Sequence, residues 1–286
     1  MLADAIRSEA YRFGKNRMGM FWTLIFVPVI ALVISVGMML FTKNKAAEIT
    51  VNDQAVSMAP SGELNLIASL LDTAGDFANP LIMAFLLIGA ATVYAGDYRW
   101  ETWRLITARN TRPSLVLGKI VTVIGLALLA MLGWLIFSFL ADLIQSLIFA
   151  RPLTASATGD EAGQIFAMTG LGFVRLVQFT MLSLLAASVT RSLLAALFVP
   201  LVITIGQFFL MQSMGMIGLT PADWLSHLLI PGLSYDIVKA SIQGGSAAAM
   251  VPEGAVMKAI ISLALWTVVP IALALVWFQR QDLSKE

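Results

Sequence analysis

Six stretches of this chain have the length and apolar character of helices that cross a lipid bilayer. A hydrocarbon core of about 30 Å takes roughly 20 apolar residues in a helix, and residues 20–41, 77–95, 115–139, 166–189, 193–211 and 256–278 reach or approach that length. The third run stays apolar to Ala150, which predicts a helix that tilts or projects beyond the bilayer. Backbone polar groups within lipid must be satisfied inside the segment, which leaves helices as the spanning elements. Charged residues make up 12% of the chain, where a water-exposed surface needs about 25%. The expected fold is an all-α membrane protein, a single transmembrane domain over residues 1–286. It has six transmembrane helices, an N-terminal interfacial helix over 1–19 and a re-entrant or surface hairpin before the last span. The first run has no small-residue cleavage site after it and reads as a retained span.

Lysines and arginines near span ends set the orientation. Arg7, Arg12, Lys15 and Arg17 precede span one, and Arg99, Arg104, Arg109 and Arg112 lie between spans two and three. Arg191 marks the link between spans four and five, and Arg280 and Lys285 follow span six. With six spans these regions share one side, which predicts both termini in the cytoplasm and a multi-pass bacterial inner-membrane protein. The opposite side carries an acidic loop over 43–76, within which 64–71 suits a short interfacial helix. Residues 214–255 form the expected external hairpin, broken at Pro231-Gly232, with Trp224 and His227 placed as interface residues.

Two segments flank the spans on the basic side. Leu2, Ile6, Ala10 and Phe13 recur at helical spacing, with Arg7, Arg12 and Lys15 over much of the remaining surface. This fits an amphipathic helix in the interface, its arginines near anionic head groups; an ordinary positive-inside flank fits equally. Residues 97–119 read DYRWETWRLITARNTRPSLVLGK. Trp100 and Trp103, three apart, are expected on one helical face, with Arg99, Glu101 and Arg104 projecting to the cytosol or to a docked partner. Pro113 suits the start of the next helix. The physics alone is also met by a basic loop that merely fixes topology.

This second segment resembles the signature of type-2 ABC exporter permeases, in which an acidic residue ends span two. Asp97, Tyr98, Arg99, Trp100, Thr102 and Arg104 match its first part, and Arg112 and Lys119 match the pattern that opens span three. Glu101 stands where the family usually has glycine. The resemblance implies a coupling segment over 97–114 that seats on a separate ABC ATPase subunit, through Asp97, Arg99, Trp100, Glu101, Thr102, Trp103, Arg104, Arg109 and Arg112. It implies two ATPase copies, which bind the ATP and magnesium, and a second permease copy or a homologous permease. The chain itself has no G-x-x-x-x-G-K-[ST] loop, so no cofactor is expected on it. It reads as a transport subunit rather than an enzyme, most simply an exporter of an amphipathic or hydrophobic substrate.

Elsewhere, Arg175 is the basic residue well inside a span, and intramembrane charge is costly. Pairing with Asp142 near the outer end of span three is expected, and Arg175, Gln178 and Asp142 are the candidates for a translocation path. The chain has no cysteine and one histidine, His227, which removes thiolate chemistry and most metal centres; no catalytic and no metal-binding residue is assigned. A net charge of +1 excludes a nucleic-acid partner, leaving the lipid bilayer and the ATPase. The competing readings are an ion-coupled secondary carrier, which needs ionisable sites at mid-membrane, and a membrane anchor or sensor that does not transport.

Overall fold

The computed structural model describes residues 2–45, 50–51, 54–55, 60, 62–100, 103, 110–157 and 159–281. Among them, six helices are long and apolar enough to cross a membrane. Helix α1 (Leu2–Lys15) precedes the first span, α2 (Arg17–Lys45), which contains a π-helical turn at Phe21–Ile25. A short helix, α3 (Leu66–Gly75), comes before the second and third spans, α4 (Pro80–Arg99) and α5 (Arg112–Phe149). Spans four and five are α6 (Glu161–Thr190) and α7 (Leu193–Ser213). Three short helices follow, α8 (Trp224–Leu229), α9 (Pro231–Gln243) and α10 (Gly245–Ala249), and the last span is α11 (Ala255–Arg280).

The ends of these helices follow local chemistry. Asn79 accepts a hydrogen bond from Leu81 N with Pro80 in the first turn, and Ser192 accepts one from Ala195 N; each side chain satisfies a donor that the helix leaves free. Spans three and four end on Ala150 and Arg191 in left-handed backbone, φ 50° and 57°, a conformation that closes a helix C-terminus. The two-residue link between α6 and α7 forces them to run antiparallel.

Helices α4 and α6 form the centre, and their apolar residues are mostly buried (Leu87, Ala90, Leu176 and Met181 among them). Helices α2 and α7 lie outside and present apolar side chains such as Val33, Ile34, Val202 and Phe209 outward. That distribution belongs to a bundle solvated by lipid rather than water. The third span, 38 residues, is about 57 Å long at 1.5 Å per residue, so it projects beyond the hydrocarbon as its long apolar run predicts. Its projecting end is tied to the first loop. Leu64 and Asn65 pair in parallel with Leu153 and Thr154, Arg151 donates to the carbonyls of Gly62 and Glu63 at 2.9 and 2.8 Å, and Thr73 Oγ1 lies 2.7 Å from Ser138 Oγ. The helix expected over 64–71 exists as α3, and it packs on α5 and α6.

In the hairpin region His227 is fully buried within the protein, while Trp224 keeps 47% exposure. The Pro221 carbonyl can only accept, so His227 Nε2 carries the ring proton and donates to it at 3.0 Å; Nδ1 then accepts from Ser234 Oγ at 3.1 Å. Ser262 of the last span donates to the His227 carbonyl at 2.5 Å. One imidazole therefore joins α8, α9 and the preceding turn, which is what permits its burial.

Candidate functional site

At the end of the bundle that carries the N-terminal helix, four charges are gathered, three of them buried (Glu9, Asp97 and Lys119) and the fourth, Arg12, partly exposed. Asp97, in the last turn of α4, is fully buried. Its Oδ2 lies 2.5 Å from Lys119 Nζ of α5, and its Oδ1 2.6 Å from Arg12 Nη2 of α1. Glu9 of α1 completes the ring, 3.0 Å from Lys119 Nζ and 3.2 Å from Arg12 Nη1. Lys119 also donates to the Val93 carbonyl at 2.8 Å. Two carboxylates against two cations give local neutrality, and the short contacts offset the desolvation each buried ion suffers.

The sequence folds this way because α1 approaches α5 on a glycine. A Cβ added at Gly118 would stand 3.0 Å from Ala5 Cβ and 3.1 Å from the Ala5 carbonyl carbon, so the bare backbone lets α1 come in this close without α1 having to give way. Residues 5, 9 and 13 of α1 are consequently the buried face (Ala5, Glu9 and Phe13). The expected stripe of Leu2, Ile6, Ala10 and Phe13 is rotated: Leu2 is 42% exposed. An acidic residue on the buried face is tolerated because Lys119 waits opposite it. Arg12, expected over head groups, turns to Asp97 instead. Glu9 is the member of the ring that sequence reasoning missed. Its signal was its i, i+4 spacing to Ala5 and Phe13, an acid in line with two small or apolar residues.

The segment that follows Asp97 is fastened to the last span. Trp103 is buried at 2% exposure, its ring centroid 5.3 Å from that of Tyr98, 4.6 Å from that of Phe278 and 5.3 Å from Lys119 Nζ. Tyr98 Oη donates to Gln281 Oε1 at 3.0 Å, and Gln281 Nε2 donates to the Ser188 carbonyl. Arg112 Nη1 donates to the carbonyls of Phe278, Gln279 and Gln281 at 3.3, 2.9 and 2.7 Å, neutralising the negative end of that helix. Trp100, in contrast, is 69% exposed beside Arg99. The two tryptophans therefore do not share a face as their spacing predicts: α4 ends at Arg99, and Trp103 is drawn inward by Tyr98 and Phe278. Asp97, Trp103 and Arg112 hold the segment to the protein, while Arg99 and Trp100 are presented outward. Glu101, Thr102, Arg104 and Arg109 lie outside the described residues.

The second candidate set separates into two places. Arg175, 6% exposed, donates through Nη1 to Gln178 Oε1 at 2.5 Å and lies 5.0 Å over the Phe179 ring. Asp142 accepts from Ser69 Oγ at 2.5 Å in the projecting end of α5. The expected Arg175–Asp142 pair does not form. Helix α6 begins at Glu161, earlier than the apolar run predicts, and Arg175 sits near the middle of that helix, where its hydrogen-bond partner is Gln178, while Asp142 is bonded to Ser69 of α3. The hairpin helix α9 reaches Arg175 there and brings Tyr235 and Asp236 to the same cavity, of 250 Å³, with Gln207 of α7. Neither Gln207 nor Asp236 was singled out from sequence. Gln207, a polar residue at the inward position of an apolar helix, was the available signal.

An ion ring thus joins the N-terminal helix to spans two and three, with Arg99 and Trp100 exposed beside it. The family model described as "ABC-2 family transporter protein" matches residues 6–283, nearly the whole chain and all six spans. Neither a curated protein nor a solved structure matches it. The chain belongs to the ABC-2 transporter family, as a membrane-spanning permease.

Proposed function

We propose that this permease works in an ATP-driven exporter of amphipathic or hydrophobic molecules in the bacterial inner membrane, with both termini in the cytoplasm. Two copies of a separate ATPase supply the nucleotide chemistry, and a second permease, identical or homologous, completes the pathway. The observation that carries the reading is the ring of Glu9, Arg12, Asp97 and Lys119. It joins three helices rigidly at the root of segment 97–114. A push delivered to Arg99, Trp100 and the residues after them passes to α1, α4 and α5 together instead of dissipating in one loop. Arg112 and Trp103 extend the same connection to the last span.

The test expresses the chain with the ATPase encoded beside it and measures co-purification and permease-stimulated ATP hydrolysis. Glu101→Arg and Arg104→Glu are expected to insert normally, because the remaining basic residues keep the loop inside. Each should bind the ATPase at least several-fold more weakly, since an unpaired charge at an interface costs more than the pair contributes. Variants that insert, bind and stimulate like the wild type would sink the coupling role. A wild-type chain that carries no ATPase through purification would favour an ion-coupled carrier.

A further inference from the structure

The cavity at Arg175 contains more hydrogen-bond donors than the protein itself satisfies. Arg175 has five N–H donors, yet among the described residues its guanidinium makes one hydrogen bond, to Gln178, and no ion pair. Gln207 is 93% buried by its 7% exposure, lines the cavity, and its amide has no hydrogen-bond partner among the described residues. The 13-residue helix α9 begins beside them without a side-chain cap. A Cβ added to Gly232 in its first turn would stand 3.6 Å from Arg175 Nη2. An uncapped N-terminus carries free N–H groups and partial positive charge. A buried guanidinium, an unused amide and a helix N-terminus thus converge on one space, and all three suit an anion.

The remaining walls narrow the ligand further. Met83, Phe208, Met211 and Ile230 are apolar, and the last three positions of the stripe Thr204, Gln207, Phe208 and Met211 run along α7 from the polar floor toward its end. Asp236 also lines the cavity; it is exposed, and its charge acts on Arg175. Its charge opposes a ligand carrying several negative charges while leaving room for one. We infer that this cavity binds the head of an amphipathic molecule with a single negative charge, a carboxylate or a phosphodiester, whose apolar chain lies along α7. As a substrate class the inference rests on the transport function proposed above; as a binding site it stands on Arg175, Gln207 and the start of α9.

The full-length protein in uncharged maltoside detergent is titrated with dodecanoate, with dioctanoyl phosphatidylglycerol and with uncharged dodecanol, and adducts are counted by native mass spectrometry. Dodecanoate or the phosphatidylglycerol is expected to bind with one copy per chain, at least tenfold more tightly than dodecanol; which of the two prevails identifies carboxylate or phosphodiester. Arg175→Gln should reduce anion binding at least tenfold and Gln207→Leu several-fold. Because Gln207→Leu replaces the amide with an apolar side chain of similar size, it keeps the test decisive if Arg175→Gln does not fold. Equal binding of dodecanol and both anions, or anion binding unchanged in a folded Gln207→Leu protein, overturns the inference. If the anions bind as expected while no ATPase associates, the site stands and the exporter reading falls. If the ATPase is bound and stimulated but neither anion binds, this inference alone fails.

Discussion

Within the ion ring, Lys119 is the residue with the most to lose. It is 2% exposed and faces both carboxylates, and Asp97 on the other side is fully buried. Removing one partner of a buried pair strands the other charge, at about 3–5 kcal/mol in soluble proteins. Lys119→Met should therefore lower the melting temperature in detergent markedly, and adding Asp97→Asn should recover part of the loss. Strictly additive effects of the two changes would show that the contact contributes no coupling. His227 gives a pH-dependent counterpart. Burial, together with the nearby Lys258 charge and against the hydrogen bond to Pro221, holds its pKa below the ordinary value. The unfolded chain then binds a proton that the folded one refuses, so this stability is present above about pH 6.5 and is lost progressively as pH falls below it toward the depressed folded pKa. Thermal melts at pH 7.5 and 5.5 should differ more for the wild type than for His227→Leu. A wild-type profile no steeper than the variant's would refute the buried neutral imidazole.

The helices approach one another closely at particular residues, and span four offers an internal comparison. A Cβ at Gly172 would meet Phe77 Cβ at 2.7 Å, whereas Gly170, two residues earlier in the same helix, faces open space. Gly172→Ala must push α6 away from the start of α4 or displace Phe77, itself fully buried, and overpacking of this kind costs about 1–3 kcal/mol. Gly170→Ala should leave the melting temperature unchanged or raise it, since alanine is favoured over glycine in a helix by up to about 1 kcal/mol. Equal melting temperatures for the two variants would contradict the packing at Phe77. Boundaries of helices were legible from apolar runs to within a few residues in most cases. Span four starts at Glu161 rather than near Phe166, because Glu161 and Gln164 are polar yet helical, and hydropathy carries no signal for such residues at a helix end.

Among the described residues, α1, the end of α4, the start of α5 and the end of α11 lie at one end of the bundle, and α3, α8 and α9 at the other. The absence of cysteine from the sequence makes single-cysteine labelling clean. Cysteines at Ser57 and Ser241 should react with an impermeant maleimide in intact cells, and one at Ser284 should react only after lysis. Reaction of Ser284→Cys in intact cells would invert the assigned topology. Ser241 is exposed near the end of α9, so reagent access is not limiting there. The outward apolar faces of α2 and α7 leave room for lipid, and for the second permease proposed above.

The sequence by itself determined the number of spans, the side that carries the basic connections and the resemblance carried by Asp97, Arg99, Trp100, Arg104 and Lys119. Those properties are set by local composition: each span must be apolar for its own length, and each basic residue is counted where it stands. Only the tertiary structure decided which charges meet. Asp97 and Lys119 were visible as parts of a pattern, but their pairing with Glu9 and Arg12 depends on α1 reaching α5 at Gly118. Arg175 was visible as a buried charge, yet its neighbours come from the hairpin helix α9 and from Gln207, not from Asp142. A helix commits its side chains to faces every 3.6 residues, but what stands opposite each face is fixed by how the helices rotate and slide against one another. That choice is made by packing contacts between residues far apart in the chain, which no local pattern records.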